Sequence, residues 1–189
     1  MAGALIKMNV LLGVTGSVAA TLTKKMVEAL QEAGYEPEVI LTRSAEYFVP
    51  RKCLGVPVYD QNSEWPQECY AKDDEILHIK LRDWAEALVI APLSANTLAK
   101  LAAGQADNLL TCVFLAWDKK KPIILAPAMN TKMWENPLVQ RNLLVLVVNL
   151  SLAGYTVKVI EPIAKKLDCG EEGIGAMAEI ADIIKAIKS

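Results

Sequence analysis

The chain has a single histidine, His78, and only two phenylalanines. Its four cysteines, Cys53, Cys69, Cys112 and Cys169, form no CxxC pair. One imidazole and four scattered thiols are a poor ligand set for zinc, so no metal site is expected. The thiols read as reduced cysteines of an intracellular, cytoplasmic protein. Excess positive charge is also absent: 20 Lys plus Arg face 22 Asp plus Glu, for a net charge of −2. That argues against nucleic acid as a partner. No apolar run reaches the ~20 residues of a membrane span. The longest, through residues 143–152, is broken by Asn149 and Ser151. The first nine residues lack a charged start and lead directly into a strand pattern, so no signal peptide is expected. Neither GxGxxG nor the P-loop pattern with its lysine occurs, which disfavours a dinucleotide or a nucleoside triphosphate. There is no internal repeat, low-complexity segment or linker.

What is present is a single-domain length of 189 residues, 53% of them hydrophobic. The excess of Val, Ile, Leu and Ala suits a sheet buried on both faces, or an oligomer interface. One domain is expected over residues 1–189. The stretch that organises the rest is Pro127-Ala-Met-Asn-Thr-Lys-Met-Trp134. It follows an apolar run, Lys121 to Ala126, that reads as a buried parallel strand. Loops at the carboxyl ends of such strands hold ligands. Asn130 presents donors and an acceptor in one plane, beside an apolar wall of Met129, Met133 and Trp134. It could equally cap the next helix.

Taken in order, Leu5 to Leu12 reads as the first strand, followed by Gly13-Val-Thr-Gly-Ser17 and a helix from Val18 to Ala33. Ser17 is a good N-cap and Gly34 a good stop. Strand, glycine turn and helix start together suit an anion, and the spacing favours a mononucleotide phosphate. Glu38 to Leu41 is the second strand, with Thr42, Arg43 and Ser44 at its ligand end. A short helix is expected over Ala45 to Val49. Residues 53–74 are irregular, with a short strand near Val56 to Tyr59, and no chemistry is assigned there. His78 lies among apolar neighbours and reads as a structural residue or as a site residue. One helical turn follows at Arg82 to Glu86, then a strand at Ala87 to Ala91. Ser94, Asn96 and Thr97 offer three short hydrogen-bonding side chains on one turn, for a ring, a ribityl chain, a phosphate or a cap. A helix over Leu98 to Ala103 and a buried one over Leu109 to Trp117 precede the central strand. Pro137 to Leu152 is taken as a helix, Tyr155 to Ile160 as the last sheet strand, and Met177 to Lys188 as a closing helix. Residues 164–175, rich in glycine and charge, read as a mobile loop around Cys169.

Five motifs occur together: Gly13-Val-Thr-Gly-Ser-Val-Ala-Ala20, Ala91-Pro-Leu-Ser-Ala-Asn-Thr-Leu98, Asp107-Asn-Leu-Leu-Thr-Cys112, Pro127 to Trp134, and Lys166-Leu-Asp-Cys-Gly170. In this order the chain resembles the phosphopantothenoylcysteine decarboxylases, a branch of the homo-oligomeric flavin-containing cysteine decarboxylases. The resemblance spans nearly the whole chain and is weakest over residues 53–73. It implies a flavodoxin-like, Rossmann-like three-layer αβα fold with a mostly parallel sheet. It also implies bound FMN and a homo-oligomer, a trimer, with the flavin near a subunit interface. The implied reaction converts 4′-phospho-N-pantothenoylcysteine to 4′-phosphopantetheine in coenzyme A biosynthesis. The substrate gives a hydride to the flavin and becomes a thioaldehyde. It then loses CO2 to leave an enethiolate, is protonated at Cα, and recovers its hydride.

By position in the motifs, His78 matches the active-site base and Cys169 the proton donor. Asn130 matches the carboxylate-holding residue, and Met133, Lys166 and Asp168 fall on the substrate side. FMN contacts fall on Gly16, Ser17, Val18, Ala19, Thr42, Ser44, Ser94, Ala95, Asn96, Thr97 and Ala128. The stretch from Asn142 to Lys158 is longer than the family pattern, and no cysteine-coupling domain accompanies the chain. Two other readings compete. One is a flavoprotein acting on another C-terminal cysteine. The other is a non-catalytic flavin-binding subunit that regulates a phosphatase.

Overall fold

The structure, a computed structural model, describes residues 8–65, 69, 72, 74–166 and 172–188. Strands and helices alternate along the chain. First come β1 (Met8–Val14), a 3-10 helix (Val18–Leu22), α1 (Thr23–Glu32) and β2 (Tyr35–Leu41). Then come β3 (Val58–Tyr59), α2 (Gln61–Glu64), α3 (Leu77–Trp84), β4 (Ala87–Leu93), α4 (Ala95–Ala102) and α5 (Leu109–Leu115). The chain continues through β5 (Ile123–Pro127), α6 (Thr131–Trp134), α7 (Pro137–Leu152) and β6 (Val157–Val159). A hairpin of β7 (Ile163–Lys166) and β8 (Glu172–Ala176) leads to α8 (Ile180–Lys188).

The first six strands form one sheet in the order β3-β2-β1-β4-β5-β6, every pair parallel. Counted whole, this is the doubly wound 3-2-1-4-5-6 order; without the two-residue edge strand β3 it is the flavodoxin order 2-1-3-4-5. Strand alternation explains the two cores. Val10 and Leu12 of β1, Val89 of β4 and Ile124 of β5 pack with Met26 and Leu30 of α1 and Ile183 and Ile187 of α8. Leu11, Leu88, Ile90 and Leu125 point the other way, onto Leu81 of α3, Leu98 of α4 and Leu109 and Val113 of α5. The result is the expected three-layer αβα arrangement. β4, at its centre, is buried along its whole length.

Strand order reverses between β1 and β4, and ligands of such sheets bind at that reversal, outside the carboxyl ends. A buried hydroxyl joins the two strands there. Thr15 Oγ1 donates to Pro92 O and accepts from Ser94 N, both at 2.7 Å.

Several local expectations are corrected. The first helix begins as a 3-10 turn, because Thr21 and Thr23 bind the carbonyls of Val18 and Ala20 three residues back. Residues 45–48 are turns and Val49 is irregular, so there is no helix here. Five residues ending at a proline cannot offset the cost of nucleation. Leu77 to Leu81 belongs to α3, so the helical turn at Arg82 is the end of a longer element. The stretch around residues 164–175 contains an antiparallel hairpin.

Candidate active site

The cleft at the strand reversal is walled by residues from five segments. Gly16 comes from the turn after β1, and Thr42, Arg43 and Ser44 from the end of β2. Ser94, Asn96 and Thr97 come from the start of α4, Lys100 from its last turn, Asp107 and Asn108 from the α4–α5 link, and Gln61 from α2. The Gly16 and Ser44 loops touch: a Cβ on Gly16 would lie 2.4 Å from Ser44 Cβ. Glycine is required here by this close approach.

Several polar groups of the wall also have a structural role. Ser94 caps α4, accepting from Thr97 N at 3.3 Å. Thr42 N donates to Val14 O at 3.0 Å. Asn108 and Thr111 form a capping box on α5. Lys100 pairs with Asp107, and this hydrogen bond holds the Asp107 carboxyl below the usual range. So the cap readings and the ligand readings are both compatible with one geometry. Hydroxyls, amides and the cations Arg43 and Lys100 in one concave site suit a phosphate and a polyol chain. The fit to a flavin mononucleotide rests on this donor set.

Of the expected cofactor residues, Gly16, Thr42, Ser44, Ser94, Asn96 and Thr97 are brought together in the cleft. Ser17, Val18, Ala19, Ala95 and Ala128 are not among its lining. Ser17 caps the 3-10 helix, accepting from Ala19 N at 3.4 Å, and Val18 is exposed. Ala128 is buried, its N–H donating to Leu93 O at 3.0 Å, which docks the Asn130 loop beside the end of β4. Arg43, Gln61, Lys100, Asp107 and Asn108 join the wall without having been assigned a role. Asp107 and Asn108 lie in a quoted motif, whereas nothing in the local pattern marks Gln61.

Asn130 caps α6, its Oδ1 accepting from Lys132 N at 2.9 Å. Met133 is half exposed on the same short helix. The hairpin strand β8 rests against this loop. Met129 N donates to Gly175 O at 2.9 Å, and a Cβ on Gly175 would lie 2.3 Å from Met129 O. Gly173 is just as close to Thr131, whose Oγ1 would lie 2.6 Å from an added Cβ. Asp168 and Cys169 lie outside the described residues. Lys166 ends β7, and its side chain is likewise not described. The strand β8 is therefore held to the Asn130 loop through two glycines, and β7 pairs with β8.

His78 sits in the first turn of α3 and does not line the cleft itself. It reaches the cleft region through α2, whose Gln61 is in the wall. Both oxygens of Glu64, at the other end of α2, face His78. Oε2 accepts the His78 backbone N–H at 3.0 Å, and Oε1 pairs with Nδ1. The sequence reading assigned nothing to Glu64, because it lies in the irregular stretch and contacts His78 from 14 residues away.

A polar, cation-bearing cleft at the reversal point of a doubly wound sheet defines a nucleotide-phosphate-binding α/β protein. The Flavoprotein family model matches residues 3–189. Phosphopantothenoylcysteine decarboxylase of Mus musculus is 44% identical over 184 residues, covering 97% of this chain and 87% of its own. A solved mutant phosphopantothenoylcysteine decarboxylase, complexed with pantothenoylaminoethenethiol, superposes with a TM-score of 0.88 at 43% identity. The match covers 96% of this chain and 97% of that one. The FMN-binding protein AtHal3 gives a TM-score of 0.83 at 44% identity, covering 96% and 95%. The chain belongs to the Flavoprotein family.

Proposed function

We propose that this chain is an FMN-dependent phosphopantothenoylcysteine decarboxylase. The observation that carries the reading is the convergence at one sheet edge. The polar cleft lies at the carboxyl ends of β1, β2 and β4, the Asn130 loop follows β5 and docks on the end of β4, and β8 rests on that loop. The near full-length likeness to decarboxylases of that name supports the substrate.

FMN, when bound, supplies the electron sink that a cysteine carboxylate lacks, taking a hydride from the substrate and giving it back. The chain's own residues do the rest. The hydroxyls and amides of Thr42, Ser44, Ser94, Asn96 and Thr97 hold the polar part of the cofactor, with Arg43 and Lys100 as counter-charges. Asn130 Oδ1 takes the Lys132 N–H, which fixes the amide plane and makes the NH2 the donor to the substrate carboxylate. His78 takes the thiol proton. Cys169 returns a proton to Cα after CO2 has left.

Asn130→Asp tests the reading without disturbing the fold, because aspartate caps a helix as well as asparagine does. It sets a negative charge against the substrate carboxylate instead of a donor. The variant should stay folded and yellow while turnover falls by roughly 10²-fold or more. Near-normal CO2 release would remove Asn130 from the mechanism.

We infer a homotrimer. The apolar residues Leu138, Leu144, Val145, Val148 and Leu152 stand exposed on α7. Such a face favours burial against another subunit. Sedimentation equilibrium should give the mass of three chains, and a fully active monomer would contradict it. Among the described residues no helix is long and apolar enough to cross a membrane. A cytoplasmic location rests on the free thiols of Cys53, Cys69 and Cys112.

A further inference from the structure

Glu64 is a carboxylate buried in a helix of four residues, with 4% of its surface exposed. Burying a carboxylate is costly unless its oxygens are well partnered. Here both go to one residue, the backbone and the ring of His78. The helix that presents it is held in turn. Asp60 closes a capping box with Ser63 at the start of α2 and pairs with Arg51. The other group that feels the Glu64 charge is Cys112 of α5, whose thiol is pushed up first by its burial and then by Glu64.

A plain reading makes Glu64 a helix cap. The His78 N–H is one of the orphan donors at the start of α3, and Ile76 at its N-cap offers no side-chain acceptor. A cap needs only one oxygen, however, and the second is on Nδ1. A carboxylate cannot donate, so a neutral ring facing it must carry its proton on Nδ1. Nδ1 faces the buried acid, the side chain keeps 23% of its surface exposed, and Nε2 is the ring nitrogen that Glu64 does not engage. We propose that Glu64 is the positioning residue of His78. It keeps the proton on Nδ1, leaves the lone pair on Nε2 for the substrate, and faces the imidazolium formed when that lone pair takes a proton. This rests on His78 being the base of the decarboxylation.

Glu64→Gln separates cap from positioning. The amide has one acceptor. The His78 backbone N–H can only donate, so it claims the oxygen and leaves the NH2 against Nδ1. The cap survives and the tautomer inverts.

The chain has one histidine, so long-range proton–nitrogen NMR of the flavin-loaded protein sees a single imidazole. With the ring neutral, the wild type should show Nδ1 protonated and Nε2 bare. Glu64→Gln should show the reverse, with kcat down by roughly 10²-fold or more, KM little changed and flavin retained. A wild-type ring protonated on Nε2 would overturn the proposal, even if the variant failed to fold. So would a Gln variant with the inverted ring and undiminished turnover. His78→Asn distinguishes failures. If it turns over normally, the base assignment itself falls. If it is dead while Glu64→Gln is fully active, only the role of Glu64 falls.

Discussion

Thr15 carries no chemistry, yet the site is built on its hydroxyl. It is fully buried and joins the end of β1 to the end of β4, where the strand order reverses. Valine has nearly the same shape but would leave Ser94 N without its acceptor and Pro92 O with only the backbone N–H of residue 15, which lies at 3.2 Å. Thr15→Val should therefore lower stability by about 1–3 kcal/mol in chemical denaturation. It should also weaken flavin retention, because Ser94 begins the α4 turn of the cleft. A variant with unchanged stability and flavin content would show that the backbone alone holds this junction. Residues of this kind are hard to read from sequence. Thr15 lies inside a recognisable glycine turn, but its two partners are 77 and 79 positions away. Ser17, Ser94 and Asn130 were legible because capping is local. For Ser94 both the cap and the place in the cleft wall hold, so one residue sets a helix start and presents a polar group; for Asn130 the cap holds.

At the scale of elements, periodicity revealed the long and the deeply buried ones. β4, β5, α5 and α7 lie close to where apolar runs and caps placed them. Short elements escaped. α2 has four residues, and its identity depends on the Asp60 capping box and on the partner that its last residue finds in α3. The β7–β8 hairpin was hidden by glycines that read as loop signals. In the structure Gly173 and Gly175 are strand residues that let the hairpin lie against residues 129–131. Gly175→Ala would drive a methyl to 2.3 Å from the Met129 carbonyl, a backbone atom with little room to move. Overpacking of this kind costs about 1–3 kcal/mol. The expected outcome is a protein that keeps its flavin but decarboxylates slowly, since the cofactor cleft is on other loops. Wild-type turnover in Gly175→Ala would mean that the hairpin's contact with the Asn130 loop has no part in the reaction.

For the whole molecule, the apolar composition pointed to a sheet buried on both faces, and the resemblance to a family implied the three-layer αβα architecture. Neither carried its exact strand order. The edge strand β3 pairs with β2 through only two residues, too few to leave a pattern. The full-length likeness and the shared sheet edge lead to one central claim: a flavin-loaded protein that decarboxylates phosphopantothenoylcysteine without net redox change. The direct measurement is to mix the purified yellow protein with that substrate, without nicotinamide, and to record CO2, the product mass and the flavin spectrum. The account predicts one CO2 per substrate consumed, 4′-phosphopantetheine as product, and oxidised flavin once substrate is exhausted. A flavin-loaded protein that leaves the substrate intact, or that turns over only with an added reductant or oxidant, would contradict it.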